Sequence, residues 1–125
     1  MNNTLLLALS IVLGGILCLL LLPWWAYLPL AFIAGFFFAR QALRDAGLGF
    51  ILGFCWWAGV ALQLNMANKG ILSARVGVLF AGLQTWQLLL VTGIIGALLA
   101  GLGVLSGLWT RELVFPAKKK RRYHY

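Results

Sequence analysis

The stretch Leu5–Leu22 is rich in leucine and carries no charged residue. A run of that length and polarity marks a helix that crosses lipid, which takes roughly 20 mostly apolar residues. Three more stretches follow, at Pro23–Ala39, Ala46–Gln63 and Trp86–Trp109. Backbone polar groups in lipid must be satisfied within the segment, so each stretch is predicted to be helical. The expected fold is all-α, a polytopic membrane protein with a transmembrane domain over residues 1–109 and a basic tail over 110–125. Four spans consume about 80 of the 125 residues and six would leave no loops. Composition agrees with this reading. Ten Lys and Arg and two acids, at a mean hydropathy of +0.99, are too few charges to coat a soluble surface. The same balance excludes a disordered tail, a disulfide-stapled secreted domain and a multidomain enzyme.

Between the third and fourth spans, the apolar part from Gly70 to Leu83 is short and holds Arg75 at its centre. An Arg at mid-bilayer costs about 2.5–3.5 kcal/mol even on the lenient insertion scale. The segment over about 65–84 is therefore expected to be an interfacial or re-entrant helix rather than a fifth span.

The cations set the orientation. With a cytoplasmic N-terminus, four spans leave Arg40, Arg44, Arg111, Lys118, Lys119, Lys120, Arg121 and Arg122 inside, and only Lys69 and Arg75 outside. That is the positive-inside pattern, and three or five spans would separate Arg40 and Arg44 from the basic tail. The expected location is the inner (plasma) membrane, with both termini cytoplasmic. Trp24, Trp25, Tyr27, Trp86 and Trp109 fall at predicted interfaces, whereas Trp56 and Trp57 fall near the middle of the third span. The N-terminal segment has no basic residue and no small-residue cleavage site, so the first span is expected to be retained.

Small residues recur four apart within the spans. They are Ser10, Gly14 and Cys18 in the first, Ala31, Gly35 and Ala39 in the second, and Gly49 and Gly53 in the third. Cys55 and Gly59 lie on another face of the third. The fourth carries Gly93, Ala97 and Gly101 on one face and Gly96, Ala100, Gly103 and Gly107 on an adjoining one. Such spacing lets helix backbones approach closely where lipid supplies no hydrophobic drive. These residues are predicted to carry helix packing, and the fourth span to be central or to serve a second subunit as well.

No Asp, Glu, Lys, Arg or His falls inside any of the four stretches. Proton-coupled transport needs one. The chain lacks the first-span carboxylate of small multidrug exporters and the early Arg of small fluoride channels. One His and two Cys cannot assemble a zinc site alone, and both cysteines read as small packing residues. No serine has a base within reach, so neither catalysis nor a cofactor is expected. The polar groups concentrate on the outer side, where Gln63, Asn65, Asn68, Lys69, Ser73 and Arg75 form a candidate external binding surface. If the third helix continues, Asn65, Asn68 and Lys69 share one face, and Lys69, Ser73 and Gly77 share another stripe. The basic run Lys118, Lys119, Lys120, Arg121 and Arg122 would hold orientation or contact anionic lipid or an acidic partner. Membrane topology explains the net charge of +8, so nucleic acid is not an expected partner.

The run from Ala67 through Phe80, followed by Leu88–Gly96 and the glycines from Gly101 to Gly107, resembles the C-terminal half of a group of small, uncharacterised bacterial inner-membrane proteins of four helices. The resemblance implies that setting and supplies no activity. Phe38–Arg44 is also similar to the basic loop of small ATP synthase assembly proteins, but the rest departs from their pattern and no residue is carried over. Four packable helices without a buried charge suit a non-enzymatic accessory, structural or assembly subunit, with membrane lipids and other membrane subunits or a second copy as partners. The alternatives are a small self-associating channel and, more remotely, a membrane-disrupting holin.

Overall fold

The computed structural model describes residues 2–116, and among these it is all-helical. The elements are α1 (Asn3–Leu20), a single 3-10 turn (Trp24–Ala26), α2 (Tyr27–Phe38), α3 (Ala42–Ala67), α4 (Ile71–Leu79) and α5 (Thr85–Val114). Pro23, in extended backbone, separates α1 from the turn that follows. Pro29 falls in the first turn of α2, where its missing N–H costs nothing. α4 is set off on both sides by left-handed pairs, Lys69–Gly70 (φ +56° and +73°) and Ala81–Gly82 (φ +60° and +83°). The second pair closes α4 by placing the Gly82 and Leu83 N–H groups on the Gly77 carbonyl at 2.8 and 3.1 Å.

Three helices, α1, α3 and α5, are long and apolar enough to cross a membrane. At 1.5 Å per residue, α1 with its 18 residues is about 27 Å long, close to the hydrocarbon thickness of about 30 Å. The 26 residues of α3 and the 30 of α5 exceed that thickness. These two helices run past the expected boundaries, so Arg44 and Asp45 lie inside α3, and Arg111 and Glu112 inside α5. α2 has only 12 residues, about 18 Å. Even with the 3-10 turn ahead of it, this segment falls short of the second span drawn from sequence.

The four longer helices form a ring in which α1 touches α2 and α3, and α5 touches the same two from the other side. Their directions alternate in chain order, not around the ring. Gly49 and Gly53 on α3 meet Ala100 and Gly96 on α5 in descending order, while Gly35 and Gly107 bring α2 and α5 side by side in the same direction. Tyr27 from α2 and Trp57 from α3 meet across the ring, edge to face, with centroids 5.7 Å apart. Tyr27, Leu7, Ile11, Val104 and Leu108 fill the centre and are fully buried.

The small residues divide the faces of α5. Gly93, Gly96 and Gly101 each receive an aromatic side chain of α3, namely Phe54, Trp57 and Phe50. Gly103 and Gly107 lie on the backbone of α2 beside Ala31, Phe32 and Gly35. Ala100 is buried between the two sets, and Ala97 is half-buried. Two adjoining stripes thus seat two different neighbours, though the division does not follow the faces drawn from four-residue spacing. Gly14 packs on Leu30 and Tyr27, whereas Ser10 donates its hydroxyl back to the Leu6 carbonyl at 2.7 Å. The mid-span tryptophans are ring-closing groups, Trp57 on Gly96 and Trp56 on Gly15. Gly15 shows no four-residue pattern and is visible only through its partner.

Candidate functional site

The two ends of the bundle carry different chemistry. At the end shared by the start of α1, the α2–α3 turn and the end of α5, polar groups are locked together. Asp45, only 1% exposed, accepts the backbone N–H groups of Arg40 and Gln41 on Oδ2 at 2.6 and 2.9 Å. Its Oδ1 accepts from Arg44 Nε at 3.0 Å. Arg111 on α5 donates to the Phe36 carbonyl at 3.1 Å and the Ala39 carbonyl at 2.5 Å, two of the acceptors that the end of α2 leaves unpaired. The Asn3 side-chain oxygen, turned toward Arg40, accepts from its guanidinium at 2.6 and 2.8 Å. Every charged group in this knot except Arg44 reaches across from one element to another.

From sequence, Arg40, Arg44 and Arg111 serve only as topology markers, and Asp45 carries no expected role. The signal available was positional. An acid in a first helical turn and an Arg in a last turn each complement the helix dipole and meet orphaned backbone groups.

The opposite end holds the expected external surface, and its polar residues are not equivalent. Ser73 donates its hydroxyl to Asn65 Oδ1, which ties α4 to the end of α3. Gln87 Oε1 accepts the Gln84 N–H at 2.8 Å, and Trp86 Nε1 donates to Gln84 Oε1 at 2.9 Å, so these groups cap α5. Asn68 is half-buried and its Oδ1 has no partner among the described residues. Gln63, Lys69 and Arg75 are exposed. α3 ends at Ala67 and Lys69 turns left-handed, so neither expected stripe through Lys69 forms. Gly77 is engaged instead with the Leu83 carbonyl, where a Cβ would collide.

Along α4 and the turn after it, Leu72, Leu79 and Phe80 are exposed, while Val76 and Leu83 turn inward. A cavity of about 310 Å³ lies under α4, bounded by α3 and α5. The two cysteines are free, and Cys18 packs inside the bundle while Cys55 is exposed on α3. The basic run Lys118–Arg122 lies outside the described residues. Among the described residues no group of three His, Cys, Asp or Glu is gathered as a metal site would require.

Comparison of the chain with protein-family models, curated proteins and solved structures finds no match.

Proposed function

We propose that this chain is a non-enzymatic accessory, structural or assembly subunit of a larger complex in the bacterial inner membrane, crossing it four times with both termini in the cytoplasm. The observation that carries the reading is an open strip on α3. Gly47 and Gly59 meet nothing within 4 Å, and Ile51 and Cys55 between them are exposed. These four residues are four apart and share one helical face. Shallow grooves of about 370 and 450 Å³ adjoin the two ends of the strip, one beside Leu43, Phe50 and Trp109, the other beside Phe54, Leu62 and Trp86. A thin strip between two grooves suits the close approach of another helix. The chain's other glycine stripes are occupied inside its own bundle.

The alternating helix directions support four crossings. They gather Arg40, Arg44 and Arg111 at one end, from which the basic tail continues, and leave Lys69 and Arg75 at the other. On this reading α2 crosses by local bilayer thinning, with Trp24 and Trp25 at one interface and Arg40 at the other. α4 then lies along the outer surface. A non-enzymatic role is in keeping with Asp45, the one buried acid, whose oxygens hold backbone amides and Arg44.

Native mass spectrometry of the chain extracted in mild detergent from its own host tests the proposal. Recovery with an unlike membrane protein at fixed ratio, lost when Gly59→Leu blocks the strip, is the expected result. A homo-oligomer lost in the same variant would make the partner a second copy and favour the channel alternative. A monomer in both cases would overturn the proposal.

A further inference from the structure

The cavity under α4 is lined by Ala61 of α3, Leu72 and Val76 of α4, Phe80 just after it, and Leu88 and Thr92 of α5. Its hydroxyls are spent, because Ser73 donates to Asn65 Oδ1 and Thr92 donates to the Leu88 carbonyl at 2.9 Å. The space therefore offers hydrocarbon contact and no free donor for a polar solute. The segment that covers this space also carries charge. Lys69 at the start of the α4 strap and Arg75 at its middle are both exposed, and neither has an acidic partner among the described residues. The chain's two acids, Asp45 and Glu112, sit at the far end of the bundle.

We infer that the α4 strap holds an anionic phospholipid of the bilayer, one acyl chain in the cavity and its phosphate on Lys69 and Arg75. A neutral lipid would fill the space but gain no attraction from the two cations. A free anion would satisfy the cations but has no use for an apolar cavity. Ser73 on Asn65 ties the strap to α3, and the Gly77 carbonyl accepts the Gly82 and Leu83 N–H groups where the chain turns toward α5, so the cavity is a feature of the folded chain itself. The inference rests on the reading that α1, α3 and α5 cross a bilayer. It does not depend on a partner subunit, and a chain purified free of partners retains the site.

The test is lipid retention by the purified full-length chain, read by native mass spectrometry. Phosphatidylglycerol and phosphatidylcholine of identical chains are compared, with glycerol phosphate as the headgroup alone. A background carrying Lys118, Lys119, Lys120, Arg121 and Arg122 as Gln removes attraction to the tail. Expected is one phosphatidylglycerol per chain, preferred roughly 30-fold over phosphatidylcholine, as two surface cations would provide. Lys69→Gln with Arg75→Gln should abolish that preference. Ala61→Phe should abolish retention of either lipid, and Val76→Trp, which fills the cavity from the exposed strap, keeps the test decisive if Ala61→Phe does not fold. Equal retention of the two lipids, retention undiminished in folded cavity-filling variants, or equal binding of glycerol phosphate would overturn the inference.

Discussion

Asp45 and Arg111 hold one turn of the chain from two different helices. The carboxylate on α3 takes the amides of Arg40 and Gln41, and the guanidinium on α5 takes the carbonyls of Phe36 and Ala39. Donors and acceptors of a single connection are thus satisfied by side chains whose Cα atoms lie more than sixty positions apart in sequence.

Removing either grip leaves backbone groups without partners at the end of α2. Asp45→Ala and Arg111→Gln should each destabilise the bundle by about 1–3 kcal/mol. The double variant should cost less than the sum, because both residues act on the same turn. Denaturant titration of the four proteins in a fixed detergent checks this. Strict additivity would mean that the two contacts stabilise different events.

The glycines of α5 and the open glycines of α3 should respond in opposite ways. A side chain at Gly96 overlaps Trp57, and one at Gly101 overlaps Phe50. Gly96→Leu and Gly101→Leu should lower stability by about 1–3 kcal/mol or prevent packing. Gly59→Leu meets open space and should leave the melting temperature of the isolated chain within the small range of ordinary surface changes. Thermal unfolding of the purified variants separates the two classes, and equal losses at Gly59 and Gly96 would refute the packing scheme.

The Ser73–Asn65 bond is the side-chain tie between α4 and the end of α3. Ser73→Ala should loosen the strap while leaving the helix ring intact. Limited proteolysis reads this directly, since trypsin can cleave at Lys69 and Arg75. Cleavage several-fold faster than in the parent, with unchanged helicity, is expected. An unchanged cleavage rate would assign the tie to α4's apolar contacts instead.

Four crossings require Leu22 and Leu43, exposed residues that flank α2, to face opposite compartments. On a background with Cys18 and Cys55 replaced by Ala, Leu22→Cys should be labelled by an impermeant maleimide in intact cells. Leu43→Cys should be labelled only after the membrane is opened. Labelling of both from the same side would mean that α2 does not cross, and its length of about 18 Å would then be the reason.

Much of the architecture was legible without coordinates. Uncharged runs such as Leu5–Leu22 demand helices because an unpaired backbone group in lipid costs several kcal/mol, a constraint local to each segment. Glycines spaced at the helical period advertise close packing for the same local reason. Which glycine receives which aromatic was not legible. The division of α5 between the Phe50, Phe54 and Trp57 set and the backbone of α2 depends on how four helices are arranged in space.

Asp45 marks the boundary between the two kinds of information. Its sequence neighbourhood, Arg40–Gln41–Ala42–Leu43–Arg44, reads as a solvated basic loop, and a solvated loop needs no partner. In the folded chain the carboxylate is buried, its charge is matched by Arg44 beside it, and its hydrogen-bond partners are backbone amides of the preceding turn. At the opposite end of the bundle, the row of polar residues from Gln63 to Gln87 separates into caps, ties and free cations only when α4 folds back over α3. Hydropathy and charge determined that the chain contains membrane-length helices and how its cations are distributed along them. The tertiary structure decided which polar groups are spent holding the fold and which, like Lys69 and Arg75, remain available, because hydrogen-bond partnership depends on distances between segments that no local pattern encodes.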